Sequence, residues 1–356
     1  MSNTVLVTGG FGLVGSATVR RLAELGRRVV ATDLDTPANR KAAEKLPEGV
    51  ESRWADLTDS AQVQRLVSDT APDAIVHLAA VIAPAIYPIP EVARRVNVDA
   101  TAHLVRVAEG QHEPPRFVHA SSITVFGPRN PHRTTTPLTA DDPMRPYDVY
   151  SGQKAEAEEI VRGSKLEWVV LRLGAVLTAD LAALPVTTDA MYFKAALPSD
   201  GRVQTVDVRD VAWAFAAATT ADVAHEILLI GGDDSHRLTY DAVTADLVAA
   251  LGMPGAMPPG RHGDPNSDDD WFVTDWIDTT RAQEALRFQH HSWSDMTAEL
   301  AEKYRWMRYP GRLVAPIVRL VTARRSPYRK APGQYADPWG AIRAKLGEPA
   351  WDRPKA

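Results

Sequence analysis

The chain has 356 residues and a net charge of −5, with 45% hydrophobic and 24% charged residues, which fits a globular protein of one large or two modest domains and argues against a general nucleic-acid binder. It has no cysteine, so disulfides, thiolate catalysis and thiolate-ligated metal centres are excluded, and a reducing cytoplasm is the expected setting. No basic leader precedes "TVLVTGG", and no apolar run approaches the roughly 18 residues of a spanning helix.

In chain order, "TVLVTG", "RRVVATD", "DAIVHLAA", "RFVHASS" and "EWVVLRLG" read as strands apolar on both faces, as parallel strands covered by helices must be. Between them, "SATVRRLAEL", "SAQVQRLVSD", "ATAHLVRVAEG" and "KAEAEEIVRGS" carry apolar residues at helical spacing. This alternation predicts right-handed βαβ crossovers and an α/β domain over residues 1–175, a doubly wound parallel sheet of Rossmann type. "VQTVDVRDVAWAFAAATT" then predicts a strand and a helix, and "HEILLIGG" another strand, so about 203–235 is expected to rejoin the first domain. Residues 176–202 and 236–302 remain as a smaller substrate-binding portion, and 303–356 as a basic extension rich in Arg, Trp and Pro.

The first strand runs into Gly9, Gly10, Phe11, Gly12, Leu13, Val14 and Gly15, and Gly10-x-Gly12-x-x-Gly15 stands directly between a strand and a helix. The first glycines permit a tight turn, Gly12 lets the backbone approach a pyrophosphate, and Gly15 lets the helix pack on the strand. The helix N-terminus offers free N–H groups and a positive dipole end to the phosphates. Asp33 ends the next strand, where a carboxylate hydrogen-bonds ribose hydroxyls and repels a 2′-phosphate. NAD is therefore expected over NADP, with Arg40 the nearest cation that could accept that phosphate.

"VYSGQKAEAEE" sets Tyr150 four residues before Lys154, on one face of a predicted helix. A phenol with a pKa of about 10 is a poor base at neutral pH. A cation one turn away favours the phenolate and moves the group toward the range where it can take and return a proton. Tyr147 is a competing phenol, but only Tyr150 has Lys at i+4.

"TGGFGLVG", "ADLTD", "HLAA", "NVDAT", "SSITVFG" and "YSGQK", in this order and spacing, resemble the extended short-chain dehydrogenase/reductases, also called the NAD-dependent epimerase/dehydratase family. The resemblance covers roughly residues 4 to 235. It implies NAD as cofactor, with Asp56 and Leu57 holding the adenine, Leu78, Ala79 and Ala80 lining the cofactor's path, and Asn97 bracing the central helix. It implies that Ser122, Tyr150 and Lys154 act together, with Lys154 also reaching the nicotinamide ribose and Thr124 adding a hydrogen bond to substrate. Ser121 is the alternative inward-pointing serine. The family also implies a homodimer through the helices of "VARRVNVDATAHLVRVA" and "YSGQKAEAEEIVRG".

Dehydratases of this family carry an Asp-Glu pair after the catalytic hydroxyl residue, where this chain has Ile123 and Thr124. Sugar epimerases carry an Asn where it has Ala175, and their diphosphate-binding Arg is out of register at Arg202. "LRLGAV" looks more like uronate dehydrogenases, which implies that Arg172 meets a substrate carboxylate, the alternative being an internal pair. Leu181, Leu184, Met191, Tyr192 and Phe193 offer an apolar substrate lining or plain packing. The first expectation is an NAD-dependent dehydrogenase of a secondary alcohol or ketone. The alternative is a nucleotide-sugar epimerase with tightly bound cofactor, and a third reading is a non-catalytic, redox-sensing NAD-binding regulator.

"HH" at 290–291 and "DDD" at 268–270 read as solvated residues rather than metal ligands. Residues 303–336 hold nine Lys or Arg and no Asp or Glu. Within them "RLVAPIVRLVTARR" sets Leu313, Ile317, Leu320 and Val321 on one stripe with Arg flanking. This pattern is read first as a helix docked on its own acidic domain, the alternative being peripheral contact with an anionic membrane or acidic partner.

Overall fold

The computed structural model describes residues 4–183 and 187–351, so Leu184 lies outside the described residues. Among the described residues ten strands form: β1 (Thr4–Thr8), β2 (Arg28–Asp33), β3 (Glu51–Trp54), β4 (Ala74–His77), β5 (Arg116–Ser122), β6 (Trp168–Leu173), β7 (Ala175–Leu177), β8 (Arg202–Asp207), β9 (Glu226–Ile230) and β10 (Arg237–Thr239). Among the helices, α1 (Leu13–Glu24), α2 (Pro37–Ala43), α3 (Ser60–Thr70), α4 (Pro90–Arg94), α5 (Ala100–Glu109) and α6 (Val149–Arg162) belong to the first half. Then come α7 (Thr188–Ala196), α8 (Val208–Ala218), α9 (Tyr240–Ala250), α10 (Thr280–Leu286), α11 (Trp293–Lys303), α12 (Arg308–Arg325) and α13 (Pro338–Lys345).

Seven strands make one parallel sheet in the order β3-β2-β1-β4-β5-β6-β9. Side chains alternate across a strand, and β1 shows it: Val5 and Val7 point into a layer with Val19 and Leu22 of α1 and Phe215 of α8. Leu6 points the other way, among Leu66, Leu104 and Val161 of α3, α5 and α6. The strand order reverses between β1 and β4, which opens a crevice at their C-terminal ends, where ligands of such sheets bind. The Rossmann-type fold matches the sequence reading.

Several local outcomes differ from the reading. Polar "ESRW" forms the edge strand β3, which its mixed composition hid. The rejoining strand is β9, whereas β8 leaves the main sheet to pair with β7 and β10. Helices α4 and α5 run on through a wide π turn at Arg95–Asp99. Arg287 caps α10 at φ 49°, the left-handed conformation that glycine adopts without strain.

Candidate active site

The glycine loop begins where β1 ends. Gly9 has φ 65°, and a Cβ there would sit 2.8 Å from the Ala79 nitrogen, so the loop and the β4 exit can approach only without a side chain. A Cβ on Gly15 would fall 2.0 Å from the Gly9 carbonyl oxygen, which is why α1 can start directly beneath the turn. Gly12 caps α1 with no side-chain hydrogen bond, and a Cβ there would meet only the Gly9 oxygen, at 3.4 Å. The first-turn N–H groups therefore keep their capacity to donate to an anion. Leu78 and Ala79 donate their N–H groups to Thr8 Oγ1 at 3.2 and 3.3 Å, which ties the β4 exit to this turn.

Asp33 ends β2 beside this loop and accepts from the backbone N–H of Leu34 at 2.8 Å. Burial pushes its carboxyl up, opposed by hydrogen bonds from Leu34, Phe11 and Asn39. Arg40 is engaged by Asp35 in a two-pronged pair of 2.6 and 2.7 Å. Asp56 accepts from both the N–H and the hydroxyl of Thr58, and Leu57 is buried in the core. These residues fit a dinucleotide: bare N–H groups for the phosphates, a carboxylate for the ribose, and an Arg40 already engaged by Asp35.

Asp148 starts α6 as a capping box, accepting from the Ser151 N–H at 3.0 Å while Ser151 Oγ accepts from the Asp148 N–H. Tyr87 donates its hydroxyl to the same carboxylate at 2.8 Å. This places Tyr150 in the first turn, near Ser122 at the end of β5, whose hydroxyl favours the phenolate against the effect of burial. Thr124, just beyond, donates its N–H to Ser122 Oγ at 3.3 Å, and its own buried Oγ1 has no partner among the described residues. Tyr147 turns away and packs its ring 5.0 Å from that of Trp339. Asn97 holds α6 from the side: its carboxamide accepts from Val81 N–H at 2.7 Å and donates to the Val81 carbonyl and to Gln153 Oε1 at 2.9 Å each.

The electrostatics correct one expectation. Burial raises the Tyr150 phenol above its usual value, and the Ser122 hydrogen bond opposes this only in part. Lys154 is also buried, with Nζ donating to the Ala120 carbonyl at 2.8 Å, and desolvation pulls it down to about 8. The protein alone thus holds the pair closer to neutral than a salt-bridged phenolate–ammonium would be. His77 and His119 lie under this corner, both held neutral chiefly by burial and secondarily by the Lys154 charge, His77 at about 3.

Two of the tentative substrate residues are engaged within the protein. Arg172 does not face a substrate: it is buried and forks onto Glu158 at 2.6 and 3.0 Å, with Ser121 Oγ donating to the same carboxylate at 2.9 Å. Tyr192 spends its hydroxyl on the Ala341 carbonyl, and its ring lies 4.4 Å from Lys345 Nζ. Leu181 packs with the Trp293 cluster instead, while Phe193 joins Phe272, Trp339 and Ile342 beside Tyr150. The sequence reading missed how far the extension takes part. The Val149 N–H donates to the Pro349 carbonyl at 2.8 Å, and a Cβ on Gly152 would fall 1.9 Å from the Trp351 ring. Glycine inside a helical pattern was the available signal, since it costs about 1 kcal/mol unless a neighbour needs the room.

A cavity of about 850 Å³ opens beside Gly12 and Leu13 but runs along the outer side of α1 past Arg20, Lys41 and Asp180. It touches neither Asp33 nor Tyr150, so the site is defined by the residues above. No three potential metal-ligating groups converge among the described residues; His291 instead pairs with Asp210 at 2.6 Å.

A model of the NAD dependent epimerase/dehydratase family matches residues 5–231. UDP-glucose 4-epimerase 4 of Oryza sativa subsp. japonica is 32% identical over 190 residues, 48% of each chain. The dTDP-glucose 4,6-dehydratase of Neisseria gonorrhoeae is 33% identical over 173 residues, 44% of this chain and 49% of the relative. The chain thus spans about half the length of the curated relatives it matches. The UDP-glucose 4-epimerase of Thermus thermophilus, solved with NAD, superposes with a TM-score of 0.67 at 22% identity, over 85% of this chain and 99% of that one, which shows the fold.

Proposed function

The chain belongs to the NAD-dependent epimerase/dehydratase family and takes NAD as its cofactor, and from that premise we propose that it interconverts a secondary alcohol and its ketone. The observation that carries this reading is the Tyr150 phenol within electrostatic reach of the Ser122 hydroxyl, beside the buried Thr124 Oγ1 that has no partner among the described residues. NAD, when bound along residues 9–15 and Asp33, supplies the hydride acceptor. Tyr150 takes the hydroxyl proton of the substrate, Ser122 donates to the same oxygen, and Thr124 supplies a further hydrogen bond. The Tyr150 phenolate that accepts this proton is favoured by the Lys154 charge and becomes the neutral phenol in the step. Ketone reduction reverses each transfer.

Nucleotide-sugar epimerisation is the second reading, favoured by relatives such as the rice UDP-glucose 4-epimerase. Against it stand Ala175 in place of the expected Asn, and Arg202, whose guanidinium donates to the carbonyls of Thr134 and Pro131 at 2.8 Å each. The test is a panel of secondary alcohols, uronates and UDP-sugars followed by NADH absorbance. An alcohol that yields NADH supports the dehydrogenase; interconversion of a UDP-sugar pair without net NADH reverses the ranking. A homodimer through α5 and α6 accompanies this proposal, with light scattering at micromolar concentration as its check.

A further inference from the structure

Helix α12 stands apart from every other helix in what it exposes. Its narrow inner stripe is small, with Gly311 and Ala315 buried. A Cβ on Gly311 would fall 2.9 Å from the Gly252 carbonyl, so the helix backbone lies directly on the body. Beyond its C-terminus the chain is clamped: Arg261 donates to the carbonyls of Tyr328, Ala331, Pro332 and Tyr335, and Tyr328 donates its hydroxyl to the Ala196 carbonyl. The helix is thus a fixed outer ridge.

The outward face of that ridge is apolar. Tyr309, Leu313 and Ile317 are 77%, 80% and 63% exposed, Leu320 is 51% exposed, and Trp306 just before the helix is 70% exposed. Spacings of three and four residues put them on one side of the helix. Arg308, Arg312 and Arg319 recur at i, i+4 and i+11 and share its edge, and Arg324, Arg325, Arg329 and Lys330 follow. Among the described residues no ion pair reaches any of these seven cations, although most other surface arginines have a carboxylate. A helix docked on its own acidic domain would have spent both its apolar face and its charges inward. Among the described residues no helix is long and apolar enough to cross a membrane.

We propose that α12 lies flat on an anionic phospholipid surface, with Trp306, Tyr309, Leu313, Ile317 and Leu320 entering the headgroup–acyl boundary and the flanking arginines on lipid phosphates. An amphipathic helix with a basic polar edge and aromatic and aliphatic residues on the other face binds such an interface by both terms together. A second copy of this chain is the weaker occupant, because a two-fold contact through this face would set cations against cations.

The test is sedimentation of the full-length protein with phosphatidylcholine vesicles with and without phosphatidylglycerol. Binding to the anionic vesicles alone, falling as salt rises to about 0.5 M, is expected, because exposed charges are screened within a few ångströms there. The Leu313→Ser/Ile317→Ser and Arg312→Glu/Arg319→Glu proteins should each lose at least about tenfold in partitioning, since one cation near an anionic surface changes it roughly fivefold. All four positions are exposed, so melting temperature and NAD affinity should be unchanged, and either pair of substitutions suffices if the other unfolds. A wild-type protein that stays in the supernatant at low salt overturns the proposal, including when sedimentation velocity shows a dimer that Leu313→Ser/Ile317→Ser breaks or an acidic protein binds instead. Undiminished vesicle binding by both variants overturns it equally.

Discussion

Ser121 and Ser122 are neighbours at the end of β5, yet they belong to opposite kinds of environment. Ser121 faces a sealed cluster in which its hydroxyl and Arg172 both satisfy the buried Glu158 carboxylate. Ser122 faces Tyr150, beside a Thr124 hydroxyl left without a partner among the described residues. One residue along β5 thus separates a closed hydrogen-bond network from a cluster left open. A saturated cluster stabilises and does nothing else; an unsaturated one carries a desolvation penalty that a ligand can relieve.

That contrast can be broken by substitutions on its two sides. On the open side, Tyr150→Phe should lower turnover by about a thousandfold or more, measured by NADH absorbance, with NAD affinity and melting temperature near wild type. The ring still packs, while proton transfer by a positioned group is lost. More than a tenth of normal turnover would remove Tyr150 from its role. On the sealed side, Arg172→Ala should cost about 3 kcal/mol in denaturant unfolding, because it leaves Glu158 buried without its main counter-ion; the protein that remains folded should keep most of its turnover. Ser122→Ala should reduce turnover about a hundredfold with little change in stability, whereas Ser121→Ala should cost about 1 kcal/mol of stability and leave turnover alone. Equal effects of the two serines on turnover would collapse the distinction.

The cofactor end allows a smaller test. NAD should be preferred over NADP by at least about tenfold, on the order of 1.4 kcal/mol, and Asp33→Ser should narrow the gap only in part because Arg40 is held by Asp35. Equal steady-state efficiency with both coenzymes would show that Asp33 points elsewhere. Finally, Lys154 is pulled down to about 8 from an ordinary 10.5. Between those values the unfolded chain binds the proton that the folded one has lost, so this group makes stability rise with pH through the window 8 to 10.5. Melting temperatures of wild type and Lys154→Met should diverge across that window in favour of the wild type, and parallel curves would place the ammonium in solvent.

The parallel sheet and the glycine loop were legible because each rests on local pattern: apolar runs of strand length, helical spacing between them, and glycines where backbone must approach backbone. The pairing of Tyr150 with Lys154 was legible as spacing alone. Their electrostatic state was not, because desolvation depends on everything packed around them and outweighs the one neighbour that spacing reveals. Arg172 stayed open between a substrate and an internal partner for the same reason: its partner Glu158 lies on the neighbouring helix α6, and only the packing of α6 on β6 brings the two carboxylate oxygens to the guanidinium.

Sequence by itself determined the order of strands and helices, the dinucleotide loop and the spacing of the phenol and the lysine, since all of these follow from short-range periodicity and backbone geometry. Tertiary structure alone decided which serine faces the phenol, which arginine is consumed internally, and that the chain returns after α13 to seat Trp351 on Gly152. It also decided that the basic stretch divides, with residues after α12 clamped to the body and α12 turned outward with its cations unpaired among the described residues. Composition gives a helix its two faces, but only the shape of what it lands on determines which face is covered; here Gly311 and Ala315 fit closely against the body and the apolar stripe does not.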